Sequence, residues 1–291
     1  MEYNLQNKHL SLIVSTNGAE IISLKYQNRE LIWQAENEWQ RHAPILFPIV
    51  GKLKNNQYQY NNQFYSLPQH GFARDKEWLC TLHTEDTLQF ELTDDEETFN
   101  IYPFHFSLIV EYQLVESGVN ITFKIFNPYH EILPFSIGYH PGFNTFGELE
   151  DCSVIFERNN KSLILQRTFL YNGLISNQKE AISFDNTEIE KLRLNTRLFD
   201  NDALVFENSG IVSITLENSS WPYSIKISSP NCKNWGIWTK PNCNKFICIE
   251  PWMGIADTVD SNRDILNKKD IILLNAYSGW EWEINLDIST V

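Results

Sequence analysis

The chain has 291 residues, of which 42% are hydrophobic, 21% charged and 13% aromatic, and its formal net charge is −14. This is the composition of a globular protein with a substantial core, and the acidic balance argues against binding nucleic acid or an anionic membrane surface, where phosphates select basic faces. Five irregularly spaced cysteines (Cys80, Cys152, Cys232, Cys243 and Cys248), a start without the basic and apolar regions of a signal peptide, and no apolar run of bilayer length predict free thiols in a cytoplasmic protein.

Period-two alternation of apolar and polar residues runs through the chain. It predicts strands over 10–14, 21–26 and 88–92, then an antiparallel pair over 106–114 and 119–125 turned by Glu116-Ser117-Gly118. Further strands follow over 211–216, 224–227 and 281–288, rich in the Val, Ile, Phe, Tyr and Thr that suit a pleated, half-buried surface. The best helical candidate is 187–194, where Ile189 and Leu192 form a partial apolar stripe. Asn55-Asn56, Asn61-Asn62 and Asn159-Asn160 read as turn tips. With no repeat and no linker-like stretch, the expectation is one domain over 1–291, an all-β sandwich or barrel.

Three polar islands interrupt the apolar runs: His70-Gly71-Phe72-Ala73-Arg74-Asp75, Gly138-Tyr139-His140-Pro141-Gly142-Phe143-Asn144 and Ile249-Glu250-Pro251-Trp252. Each sets an ionisable side chain beside Gly or Pro, with an aromatic ring nearby. Converging on one aromatic-lined pocket, two histidines, an arginine and a glutamate suit proton transfer on a polyol. Glu250 ends the apolar stretch Phe246-Ile247-Cys248-Ile249, so partial desolvation should make its carboxylate more basic. His140 stands at a strand-to-turn edge. The islands lie tens of residues apart and lack metal-ligand spacing, so no metal or other cofactor is expected.

These islands resemble the aldose 1-epimerases, or mutarotases, of the galactose mutarotase superfamily, and among them the branch that reads HGFAR. Asn17-Gly18-Ala19-Glu20, the run from Pro44 to Lys52, Tyr102-Pro103-Phe104-His105-Phe106 and Asp202-Ala203-Leu204-Val205-Phe206 extend the likeness over 17–257. The resemblance implies the large antiparallel β-sandwich of that superfamily, with its cleft on one sheet face. It implies Glu250 as base, His140 as acid and His70 as a contact to the ring oxygen. It further implies Asp202 as acceptor of a sugar hydroxyl. Lys52 stands where the family arginine is expected, and Arg74 is placed to supply that guanidinium from the neighbouring loop. Trp252 and Trp235 are candidate stacking rings. The implied partner is a small sugar, and the implied assembly a monomer or homodimer.

The leading reading is therefore anomer interconversion of a free aldose by ring opening and closure. Three others compete: the same reaction on a hexose 6-phosphate, a non-catalytic sugar-binding module, and a glycosidase with a second carboxylate opposite Glu250, for which Asp202 is the obvious candidate. The neutral sugar is preferred because Lys52, Lys54 and Arg74 are the only basic residues in the segments expected near the site.

Overall fold

The computed structural model describes residues 1–160, 164–184 and 189–290. Their architecture is an antiparallel β-sandwich. The nine-stranded sheet runs, in spatial order, Lys191–Arg193, Cys152–Arg158, Ile211–Asn218, Tyr223–Ser228, Gly279–Thr290, Gly118–Phe126, Ser107–Val115, Thr87–Thr93 and Leu79–His83. The eight-stranded sheet runs Leu174–Ala181, Gln166–Tyr171, Leu204–Glu207, Asn234–Trp238, Phe246–Met253, Ile137–Tyr139 and Ile45–Leu46, with Gly142–Asn144 pairing to one side of Phe246–Met253. A four-stranded sheet formed by the first thirty residues packs on the same core.

The predicted antiparallel pair has the register its alternation requires. Leu108, Val110 and Tyr112 stand opposite Ile125, Phe123 and Ile121, and all six are buried. These inward residues meet Ile237, Ile247, Ile249 and Tyr139 of the other sheet in one continuous apolar cluster. Phe123 crosses the interface, tilted against Tyr139 at 6.3 Å, and Phe135, from the short pair Leu133–Phe135 and Ile272–Leu274, stands edge-on to Trp280 at 5.3 Å. Two of the three asparagine pairs are turn tips as read: Asn55, Asn56, Asn61 and Asn62 take the left-handed conformation that Asn tolerates well, whereas Asn159 and Asn160 do not.

One local expectation needs correction, and one helix was not foreseen. Of the predicted helix over 187–194, Thr187 and Glu188 lie outside the described residues, and Lys191–Arg193 is an edge strand paired with Cys152–Arg158. Leu192 opposite Val154 buries its side chain there, and pairing at a free sheet edge overrides a weak helical stripe. The one α-helix among the described residues is Glu96–Ile101, which the apolar pattern does not announce. Its start is a capping box, in which the Asp95 side chain accepts from Thr98 N (2.7 Å) and Thr98 Oγ1 accepts from Asp95 N (2.8 Å).

Candidate active site

Strand Phe246–Met253 organises the site, because its two faces do different things. Ile247 and Ile249 point into the inter-sheet core. By the two-residue period of a strand, Phe246, Cys248, Glu250 and Trp252 share the opposite face. Phe246 and Cys248 pack there with Trp33 and Cys243, while Trp252 joins Leu46, Val50 and Ile255. Glu250 lies between them at the floor of a pocket of about 350 Å³, a size suited to a small-molecule ligand. Its flanking strands are short of side chains for a physical reason. A Cβ on Gly236 would sit 2.3 Å from Trp252 Cζ2, and one on Gly138 would sit 2.8 Å from Trp252 Cδ1. The two glycines let the indole lie flat across the sheet, where its Nε1–H donates to Glu250 Oε2 at 3.1 Å.

His140 meets Glu250 from the next segment of the same sheet, with Nε2 at 3.2 Å from Glu250 Oε2. The imidazole is fixed by rings. It stacks on Trp39 (4.9 Å between centroids) and stands edge-on to Trp238 (5.9 Å) and His70 (5.6 Å). His70 occupies a left-handed backbone position next to Gly71, whose own approach to Phe47 O leaves no room for a Cβ. Gly51 N donates to His70 Nδ1 at 3.1 Å, so in the neutral ring Nε2 carries the proton.

Burial controls the charge of this floor. It holds the Glu250 carboxyl well above the usual carboxylate range, reinforced by Asp202 and opposed by the Trp252 N–H. It also drives His140 down to about 3, with Arg74 adding to the effect, and His70 well below its ordinary value, with His140 adding to it. Burial thus disfavours both the imidazolium and the carboxylate, although the two groups stand only 3.2 Å apart.

Of the residues singled out in the sequence, Glu250, His140, His70, Arg74, Asp202 and Trp252 all line the pocket. Lys52 is not among the lining residues; its Nζ donates to Asn172 O (3.3 Å) beside the Asn172–Gly173 turn. Lys54 Nζ is turned to Ser261 O. Trp235 faces the inter-sheet core, donating to Ile211 O at 3.0 Å, so it offers no stacking surface. Sequence reasoning missed Trp39, Arg41, Gln69 and Trp238. Arg41 matters most. It donates to Asp75 Oδ1 at 2.8 Å and lies on the same rim as Arg74, whose Nη2 donates to Gln69 O at 2.6 Å. Arg74 Nε is buried without a hydrogen-bond partner among the described residues. Burial and Arg41 pull the Arg74 guanidinium down to about 10, so it stays charged at neutral pH. Beneath this rim the buried Glu20 accepts from His42 N and Ala43 N, both at 2.7 Å, and pins the loop that carries Arg41.

The aldose 1-epimerase family model matches residues 1–269. The chain belongs to the aldose 1-epimerase family. Protein LacX of Lactococcus lactis subsp. lactis is 29% identical over 283 residues, covering 93% of this chain and 94% of LacX. A galactose mutarotase related enzyme from Lactobacillus acidophilus is 32% identical and superposes with a TM-score of 0.91 over 100% of this chain and 98% of its own. A galactose mutarotase-like protein from Lactobacillus casei gives a TM-score of 0.92 at 26% identity, covering 99% and 100%. Within this aldose 1-epimerase framework, Asn144 of the His140 island is a structural anchor. Its amide donates to Glu30 O (3.0 Å) and Ile32 O (2.8 Å), tying the island to the chain that leads into the Trp39–Arg41 loop.

Proposed function

We propose that the pocket catalyses interconversion of the α and β anomers of an aldose, with Glu250 and His140 as the proton-transfer pair. The observation that carries this reading is the 3.2 Å contact between two buried ionisable groups at the floor of a sugar-sized pocket. In the forward direction Glu250 takes the proton of the anomeric hydroxyl while His140 delivers one to the ring oxygen. The C1–O5 bond then breaks. Rotation about C1–C2 presents the other carbonyl face, and the reverse transfers close the ring. The closed sugar needs carboxylate and imidazolium; the open-chain aldehyde needs carboxylic acid and neutral imidazole. Both states hold the same number of protons. Burial favours the second, and the hydroxyls of a bound closed sugar supply the hydrogen bonds that make the first accessible. His70 Nε2–H is suited to steady the ring oxygen, Asp202 to accept from a hydroxyl, and Trp252 to cover an apolar sugar face while orienting Glu250. A binding module would have no use for such a pair.

A second reading, an aldose bearing an anionic group such as a 6-phosphate, is favoured by one observation. Two guanidiniums, Arg41 and Arg74, stand on the same rim, both paired with Asp75, Arg41 Nη2 at 2.8 Å from Oδ1 and Arg74 Nε at 3.9 Å from Oδ2. Arginine pairs suit phosphate oxygens better than the lysines that the sequence offered. Polarimetry on freshly dissolved α-D-glucose, α-D-galactose and α-D-glucose 6-phosphate tests both readings. Acceleration of at least one sugar above the spontaneous rate is expected, and no acceleration of any would refute the mutarotase assignment. A wild-type preference for the phosphorylated sugar that collapses in Arg41→Ala would decide for the anionic substrate; a wild type that turns over glucose or galactose at least as efficiently as glucose 6-phosphate would decide for the neutral one.

A further inference from the structure

We propose that the pocket floor is also a binding site for a single zinc ion, held by His140, Cys248 and Glu250, and that the bound ion excludes the sugar. One donor atom from each of these three buried residues lies within 4.8 Å of the other two. The strand period explains the grouping: Cys248 precedes Glu250 by two residues on the same face of Phe246–Met253, buried just outside the pocket lining, and His140 closes the triangle from the adjoining segment. No spacing along the chain shows it, because the ligands come from two separate segments.

The donor set selects the metal. Thiolate, imidazole and carboxylate together suit zinc, whereas magnesium and calcium prefer oxygen alone. Zinc bonds of about 2.0–2.3 Å at tetrahedral angles give ligand-to-ligand edges of about 3.4–3.6 Å, so side-chain adjustments of about 1 Å complete the site. The fourth position faces the cavity and takes water. Binding releases one proton from the Cys248 thiol and one from the Glu250 carboxyl. The complex of one doubly charged cation with a thiolate and a carboxylate is then neutral overall. That neutrality removes the desolvation cost which disfavours each anion alone in this pocket. His140 Nδ1 has no hydrogen-bond partner among the described residues, so the acceptor that usually stiffens a zinc-bound imidazole is missing. The ion is accordingly a reversible inhibitor, not a structural component. Cys248 has no part in the proposed sugar chemistry, and this makes the two roles separable.

The test is calorimetric titration of zinc chloride into the reduced, tag-free protein and into Cys248→Ala, alongside zinc inhibition of mutarotation. One saturable site is expected in the wild type. Losing an outer-shell partner of a metal already costs about 10–100-fold in affinity, so losing a direct ligand should cost about 100-fold or more. Basal activity of Cys248→Ala should stay near that of the wild type, and its zinc inhibition should shift by the same factor. Unchanged zinc affinity in Cys248→Ala, or no saturable binding to the wild type, overturns the proposal. X-ray absorption on the zinc-loaded wild type needs no variant. One sulfur at about 2.3 Å with nitrogen and oxygen near 2.0–2.1 Å supports the site, and a shell without sulfur refutes it. Calorimetry and absorption read the metal whether or not the chain accelerates mutarotation, so failure of that reading and failure of this one are distinguishable.

Discussion

The two sheets of the sandwich are built from similar residues but obey different rules. In the nine-stranded sheet, strands such as Ser107–Val115 and Gly118–Phe126 bury about one side chain in two, and the outward ones include Glu111, Gln113, Asn120, Thr122 and Lys124. In the eight-stranded sheet, Asn234–Trp238 and Phe246–Met253 are buried on both faces, since one meets the core and the other the pocket and its covering loops. A two-sided buried strand has no position where a carboxylate is free of cost. Glu250 at such a position is therefore a departure from what packing alone would select, and its reason lies in chemistry. On the proposed function, the nine-stranded sheet, the outer one, serves stability, and the eight-stranded sheet, the inner one, gives up some of that stability to hold the proposed proton-transfer pair.

The largest effect that can break this division comes from Glu250→Gln, with His140→Asn as its partner. Each should lower kcat/KM by about 10²–10⁴-fold, the usual contribution of a general acid or base. The stability change should have the opposite sign for Glu250→Gln. In the folded protein the Glu250 carboxyl keeps its proton well above the ordinary range, while the unfolded chain releases it near pH 4. Between those two values the native state binds more protons than the unfolded one, so its stability falls as pH rises. Gln carries no such burden, and thermal melts should show the variant gaining on the wild type progressively from pH 5 to pH 8. A melting difference that shrinks over that range would show that the buried carboxyl is not held protonated.

The complementary change belongs to the outer sheet. Ile121 is fully buried opposite Tyr112. Ile121→Ala should cost about 2–5 kcal/mol in denaturant unfolding, the range for truncating a buried aliphatic side chain. Its kcat/KM per folded molecule should be unchanged. A large loss of activity in the folded variant would mean that the outer sheet tunes the pocket and the division is false.

Gly236→Ala probes the boundary between the two, because the new methyl must displace the Trp252 indole that donates to Glu250. A shift of about 1 Å in a catalytic group can cost about 10²-fold in rate. The loss should fall mainly on kcat. An unchanged rate would separate the indole from the orientation of Glu250.

The contrast also explains what could be read in advance. One-sided burial leaves a period-two signature, so six strands of the nine-stranded sheet were legible to within a few residues, whereas Leu79–His83 and Cys152–Arg158 were not read and Lys191–Arg193 was read as helix. The inner sheet has no such signature, and Trp235 illustrates the consequence: as a ring near the Glu250 island it was a candidate stacking surface, yet it points to the core. Glu250, His140 and His70 were legible because Gly, Pro and aromatic neighbours mark them as interruptions. Arg41 was not. It sits in a loop without periodicity, held at the rim by long-range contacts such as those of the Glu20 carboxylate with His42 N and Ala43 N and of Gly142 N with His42 O.

Lys52 gives the smallest expected effect, and the sharpest check on that last point. The sequence suggested it as the replacement for the family arginine, yet it lies outside the pocket lining with its ammonium on a backbone carbonyl of the Asn172–Gly173 turn. That contact is long, at 3.3 Å, and solvent-exposed. Surface substitutions away from special features change stability by about 0.5 kcal/mol or less, which would correspond to roughly a twofold change in an equilibrium. Lys52→Ala should therefore alter kcat/KM by no more than about twofold on any of the three sugars. Arg41→Ala, measured beside it, should do more on an anionic sugar. If Lys52→Ala instead costs tenfold or more on glucose 6-phosphate alone, the lysine must swing from the turn to the substrate. The cationic rim would then consist of three residues, not two.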